Sequence, residues 1–331
     1  MDKFLFTLCK VKMLKDFFME LFLKILYYVE RKKYFPAFSD APRFLNFAFP
    51  DFSVQYFIIS LEKNEKIRLQ GTIPMDKLNY FSISVYNNKG ITIFEKNDTS
   101  YPQHKYDLNF QFPHLSCIVL RFYRKEKFIT QNFYKYLPTS YPPREKVPRK
   151  IISKNNEYIG NFLNTIISKK NKNFIPKTID SFFLPSKADL GSLFANIDAT
   201  YLIAFPKTNI VQIKWTDNDK SKDKRFCGFM ACNFKTTATD SSIEIYPKPT
   251  EQTLWICHSK NKKNLKQFGK KNTDKIICWK NSNDFPVIIY RVVDTSKTML
   301  NSIENETRQI RQNKLEKVMK SAYPILKSFP T

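Results

Sequence analysis

The chain has 331 residues, 42% of them hydrophobic and 15% aromatic, with 31 Phe and 17 Tyr, so there is ample material for one large core or two smaller ones. It carries a formal charge of +25, but only 11 of its 55 basic residues are Arg, and it has only six Gly. These numbers exclude a disordered chain and a glycine-rich phosphate cradle. They also argue against a specific reader of phosphate or guanine, which would lean on the bidentate Arg fork.

The first element expected is an amphipathic helix within residues 1–33. Residues 4–29 are apolar enough to resemble a membrane span, but Lys10, Lys12, Lys15, Asp16, Glu20 and Lys24 interrupt them. Each such charge at a bilayer centre costs about 2.5–3.5 kcal/mol, which rules out a simple span. The helix is expected to pack on the body, or to lie on a partner or a membrane through Phe17, Phe18, Phe22 and Leu26.

Pro36, Pro42 and Pro50 make residues 34–52 an extended connector, after which the apolar period changes to two. Strands are expected at 54–61, 66–73, 79–87, 91–96, 116–124 and 128–136. In NYFSISVYN, Phe81, Ile83 and Val85 share one face, and Tyr80, Ser82, Ser84 and Tyr86 share the other. Asn88-Lys89-Gly90 supplies the hairpin turn that follows. A first sandwich is thus placed at 34–136. A Pro-rich linker follows at 137–152, then a polar helix and a second sandwich within 153–294.

In that second half, strands are expected at 196–206, 210–217, 225–234, 253–259, 274–280 and 285–294. TTATDSS, 236–242, reads as a polar turn or as a run of hydroxyls lining a groove. FPHLSCIVLRFYR and FPVIIYRVVD both follow a Phe-Pro entry with an apolar strand carrying Arg, at Arg121 and Arg291. NYFSISVYN pairs with RFCGFMACN in the same way, which points to a tandem duplication. Residues 295–331 are expected as a C-terminal helix stopped near Pro324. The fold class expected is mainly β: two tandem antiparallel sandwiches, jelly-roll-like, with N- and C-terminal helices.

Signals for chemistry are sparse. Cys227 and Cys232 lack a nearby second ligand pair, so no metal is expected. The thiols read as reduced and structural in a cytosol-like compartment. Adjacent Cys257 and His258 must point to opposite faces of a strand, Cys257 buried and His258 exposed, so they form no catalytic dyad. No catalytic residue and no cofactor are expected. Tyr80, Tyr86, Arg121, Tyr123 and Arg124 are the candidate binding set, an aromatic and basic face that could stack sugars, bases or a partner. The alternative for such strand aromatics is packing against the opposing sheet.

IRLQGTIPMDKLNYFSISVYNNKG (67–90) resembles the strand–Gly-x-x-Pro–strand signature of tandem β-sandwich proteins found in bacteria and in mimivirus-like giant DNA viruses, whose units are the domain-of-unknown-function families 1254 and 1214. Residues 194–206, 223–243, 285–294 and 317–324 are similar to further segments in the same order, covering most of 40–325. The departures are Phe226-Cys227-Gly228, where the second signature carries Trp or Tyr next to Ser, and the lower glycine content. The resemblance implies the sandwich fold and a viral or bacterial setting, and it implies no assigned reaction.

The Lys-, Asn-, Ile- and Phe-rich usage is that of AT-rich coding and tilts the setting toward a giant virus. The function expected is a non-enzymatic structural or interaction protein of the virion, assembled in host cytoplasm, with other coat proteins as partners and non-specific nucleic acid or an anionic membrane surface as further ones. The alternatives are a carbohydrate- or lipid-acting enzyme with a site between the sandwiches, and a basic DNA-compaction factor.

Overall fold

A computed structural model describes residues 39–40, 51, 54–88, 91–128, 130–143, 179–184, 196, 198–216, 224–233, 239–245, 250–279, 286–294, 317, 319 and 323–330. The chain is mainly β and sandwich-like, with several antiparallel sheets, and it divides into two compact units. The N-terminal helix, the polar helix and most of the C-terminal helix expected from sequence lie outside the described residues, as do Phe17, Phe18, Phe22 and Leu26.

The first unit takes residues 1–45, 54–159 and 187–197. Its strands are β1 (Ser39–Asp40), β2 (Val54–Leu61), β3 (Lys66–Thr72), β4 (Leu78–Asn87), β5 (Thr92–Asn97), β6 (Lys105–Gln111), β7 (Ser116–Arg124) and β8 (Thr139–Tyr141). They form a five-stranded sheet, β1-β2-β7-β4-β5, and a three-stranded sheet, β6-β3-β8. One apolar cluster draws on both sheets: Phe57, Ile59, Phe81, Ile83, Val85, Leu120 and Phe122 from the larger, Ile67, Leu69, Tyr106 and Phe110 from the smaller. Each buried Phe, Leu or Ile contributes about 1.5–3 kcal/mol. The alternation in β4 therefore places its Phe, Ile and Val inward, as the sequence predicts.

Three local expectations fail in this unit. The described residues of 128–136 form no strand. Short 3-10 turns at Glu126–Phe128 and Tyr134–Tyr136 replace it, because the Asn132 carboxamide accepts the Tyr134 N–H at 3.0 Å and turns the chain. The Phe133 N–H then donates to the Gln55 side chain at 3.0 Å, which seats its ring in the core. Strand β6 was missed despite strict alternation of Tyr106, Leu108 and Phe110. Strand β8 lies in the stretch expected as linker and pairs with β3.

The second unit takes residues 46–53, 160–186 and 198–331. Its strands are β9 (Ile179–Phe183), β10 (Ala199–Phe205), β11 (Ile210–Trp215), β12 (Lys224–Asn233), β13 (Thr239–Ile245), β14 (Gln252–His258), β15 (Lys275–Trp279), β16 (Pro286–Asp294) and β17 (Ile325–Phe329). The sheets are β13-β12-β16-β10-β9 and β15-β14-β11-β17. Leu202, Phe229, Tyr290 and Phe182 meet Val211, Ile213, Trp215 and Ile256 in one core.

β13 takes up 239–242 of the expected polar turn, and 236–238 lie outside the described residues. Its Ser241 hydroxyl donates to the Cys278 carbonyl at 2.7 Å and accepts the Cys278 N–H at 3.1 Å, so it ties two sheets of this unit together. The C-terminal helix expected over 295–331 does not run to its end: beyond Pro324, where it was expected to stop, the chain is extended as β17 and pairs with β11. β14 and β15 are parallel where only antiparallel pairs were expected. Their 16-residue connection has the length a parallel crossover needs.

The two larger sheets share a strand order. Reading β1-β2-β7-β4-β5 beside β9-β10-β16-β12-β13 matches every strand by its rank in the unit, once β15 is set aside as extra. β7 thus matches β16, and β4 matches β12, the two pairings drawn from sequence.

Candidate functional site

Alternation along β7 sends Ile118, Leu120 and Phe122 into the core, so Arg121 and Tyr123 leave by the opposite face. On that face β4 adds Tyr80, Ser82, Ser84 and Tyr86. All of these are buried, with Arg121 at 1% exposure. The Arg121 guanidinium donates from Nη1 to Ser84 Oγ and from Nη2 to Tyr86 Oη, both at 2.5 Å, and lies 5.7 Å from the Tyr86 ring centre. Burial works to discharge it, but the attraction of Tyr86, Glu95 and Tyr123 outweighs burial and holds its pKa above the ordinary value. Burial likewise pushes the Tyr86 phenol up. At neutral pH, then, Tyr86 is uncharged, and Glu95 on β5 is the countercharge.

Tyr80 and Tyr123 meet edge to face at 5.1 Å, and Asn196 bridges their hydroxyls, accepting from Tyr80 and donating to Tyr123 at 3.3 Å each. Nothing in the sequence around Asn196 signalled this role. Four of the five candidate residues, Tyr80, Tyr86, Arg121 and Tyr123, therefore come together on one face. They are buried, not the exposed stacking surface expected, and they do not pack on the opposing sheet. Arg124 lies three positions from Arg121, on the other side of β7, and its Nη1 donates to the Gln131 carbonyl at 3.2 Å. It fastens the 126–136 turns.

The second unit places Arg291 at the matching position. Arg121 is flanked in register by Tyr56 and Ser82, and Arg291 by Tyr201 and Gly228. The Arg291 guanidinium lies 5.0 Å from the Tyr201 ring centre and 3.8 Å from the Asp51 carboxylate, a residue that groups with this unit. Cys232 shares the face, its thiol 3.5 Å from the Thr239 hydroxyl and pushed up to about 12 by burial. Cys227 points into the core instead, so the two thiols of CGFMAC sit on opposite faces. Among the described residues no group of three or more His, Cys, Asp or Glu is placed to hold a metal.

No family model and no curated protein matches the chain. Among solved structures it is similar to an uncharacterized protein from Burkholderia cenocepacia, with a TM-score of 0.53 at 7% identity over 97% of this chain and 95% of that one. It is also similar to the VPA0106 protein from Vibrio parahaemolyticus, with a TM-score of 0.49 at 9% identity over 98% and 99%. At such identity the first likeness bears on the fold alone. It fits a β-rich, sandwich-like architecture.

The exposed chemistry lies elsewhere. His258 ends β14 and is buried, against the expectation of exposure, because its Nδ1 accepts the Lys260 N–H at 3.3 Å and starts the next turn. Cys257 is buried as expected. A 3-10 segment, Ser259–Phe268, follows and is closed by Gly269 at φ 90°. Leu265 anchors it, and Asp274 accepts from the Trp255 indole and the Lys271 N–H, each at 2.9 Å. From this pinned loop project Lys260, Lys262, Lys263, Lys266 and Lys271, all exposed, with Lys270 and Lys275 half-buried. Asp274 is the single acidic residue in 259–275 and is already engaged. Among the described residues no helix is long and apolar enough to cross a membrane.

Proposed function

We propose that the protein is a non-enzymatic structural or interaction protein, built as a tandem duplication of a jelly-roll-like sandwich, that works as a virion component of a giant DNA virus. The matched strand orders and the matched Tyr–Arg registers support the duplication. One observation carries the functional part. Among the described residues, Arg121, Arg291, Asp51, Cys232 and His258 are buried and spent on internal contacts, while an anchored loop presents lysines to solvent. A buried charge held in this way stiffens a sheet, and reaching it would cost the sheet's own hydrogen bonds. The exposed lysines complement acidic faces of neighbouring coat proteins, which is how charge steers and registers an interface. The viral setting rests on the Lys- and Asn-rich usage and on the family resemblance.

The test is quantitative mass spectrometry of density-purified particles beside the infected-cell lysate. The chain is expected in the particle at a copy number comparable to coat proteins. Recovery in the lysate alone, or catalytic turnover of a glycan or lipid ester by the purified chain, overturns the proposal. Duplex DNA binding that is tight at physiological salt would assign the lysines to compaction instead.

A further inference from the structure

The lysine-bearing crossover begins and ends beside a cysteine. β14 and β15 run parallel with Cys257 and Cys278 in register. Neighbouring strands lie about 4.7–4.9 Å apart, inside the roughly 4.4–6.8 Å that a disulfide spans between Cα atoms. Both side chains leave the sheet on one face, and their sulfurs are 3.8 Å apart. Small χ1 rotations bring that to the bonding distance of about 2.05 Å with the strands in place. Ser241 holds the Cys278 backbone from both its N–H and its carbonyl.

The two thiols differ in surroundings. Cys257 is enclosed with Ile210, Trp255 and Leu265, whereas Cys278 is the one cysteine among the described residues that is not fully buried. The hydrogen bond from Cys257 lowers the Cys278 thiol to about 7, with help from the Lys262 charge, and the same bond together with burial raises Cys257. The pair therefore favours the negative charge on Cys278 and the proton on Cys257. An accessible nucleophile thus lies beside a sheltered resolving thiol.

We propose that Cys257 and Cys278 are a reversible redox pair, oxidised by hydrogen peroxide to a disulfide that locks both ends of the lysine-rich loop. The Cys278 thiolate attacks one peroxide oxygen and the O–O bond breaks. The products are a Cys278 sulfenic acid and hydroxide, which is protonated to water. The Cys257 sulfur, giving up its proton, then attacks Cys278 Sγ. The S–S bond forms and the S–O bond breaks, releasing a second water. Two thiols lose two electrons in all, and the peroxide gains them. A dithiol reverses the step by exchange.

The test treats the reduced full chain with hydrogen peroxide, blocks free thiols by alkylation, and maps peptides by mass spectrometry. The expected result is loss of two alkylatable thiols and one linked peptide pair, Cys257 to Cys278, reversed by dithiothreitol. C257S should instead stop at a Cys278 sulfenic acid that dimedone traps. L265A, which opens the cover over Cys257, keeps the readout independent of removing a thiol and should still form the linkage. The proposal is overturned if both thiols stay alkylatable at doses that oxidise free cysteine. It is equally overturned if Cys278 passes to sulfinic acid with Cys257 intact, or if the linkage forms only in denatured protein.

Discussion

Replacing Arg121 by Met tests whether the buried guanidinium organises the first unit. The variant keeps an apolar stem of similar length and removes the charge. It deletes hydrogen bonds to Ser84 and Tyr86, each worth about 1.5–3 kcal/mol for a charged donor, and strands the Glu95 countercharge. Glu95 is only half-buried, so the two lost bonds set the scale, and a loss of about 3–5 kcal/mol is expected. With a urea slope of about 2 kcal/mol/M, the midpoint should fall by roughly 2 M. Far-UV circular dichroism is the proper probe, since Trp215, Trp255 and Trp279, the only three tryptophans, all belong to the second unit. A double-mutant cycle with Glu95→Gln should show a coupling of at least about 1 kcal/mol. A midpoint unchanged in Arg121→Met, or strictly additive losses, would refute the reasoning.

Three further outcomes follow from the geometry. Gly71→Ala should destabilise by about 1–3 kcal/mol, because a Cβ there would meet the Tyr106 hydroxyl at 2.5 Å; Tyr106→Phe should be neutral or stabilising in the same denaturation assay, since that buried hydroxyl bonds to no described residue. Asp107, gripped by both Arg68 and Gln70, has its carboxyl held at about 2, so its share of stability is present above the ordinary carboxylate range and is lost progressively as pH falls from there through about 2. A carboxyl titration by NMR should show that midpoint and, in Arg68→Ala, a rise toward about 3.9. Ser241→Ala should leave the Cys278 N–H unsatisfied, cost about 1–3 kcal/mol, and speed exchange of that amide in hydrogen-exchange mass spectrometry.

What the sequence disclosed follows from where the apolar period is clean. β2, β4, β7, β10, β12 and β16 carry strong alternation or continuous apolar runs, and they build the larger sheets as expected. β13 carries only Ile243 and Ile245 among polar residues, and its strand nature comes from pairing with β12 and from the Ser241 link. The five-residue β17 follows a helical pattern and is set by the open edge of β11. The span 128–136 reads as apolar alternation, but the Asn132 side-chain turn wins locally.

The candidate site was half visible. Parity alone gathered Tyr80, Tyr86, Arg121 and Tyr123, but parity cannot say whether a face is covered. Asn196 and Asp51 reach their clusters from distant parts of the chain, which no local pattern encodes. The Cys257–Cys278 register was equally hidden, since it depends on a parallel crossover.

Lysine-directed cross-linking of intact purified particles, read by mass spectrometry, bears most directly on the claim that the exterior does the work. The account predicts links from Lys260, Lys262, Lys263, Lys266 or Lys271 to other particle proteins. A chain absent from the particles, or cross-linked only to itself, would contradict it.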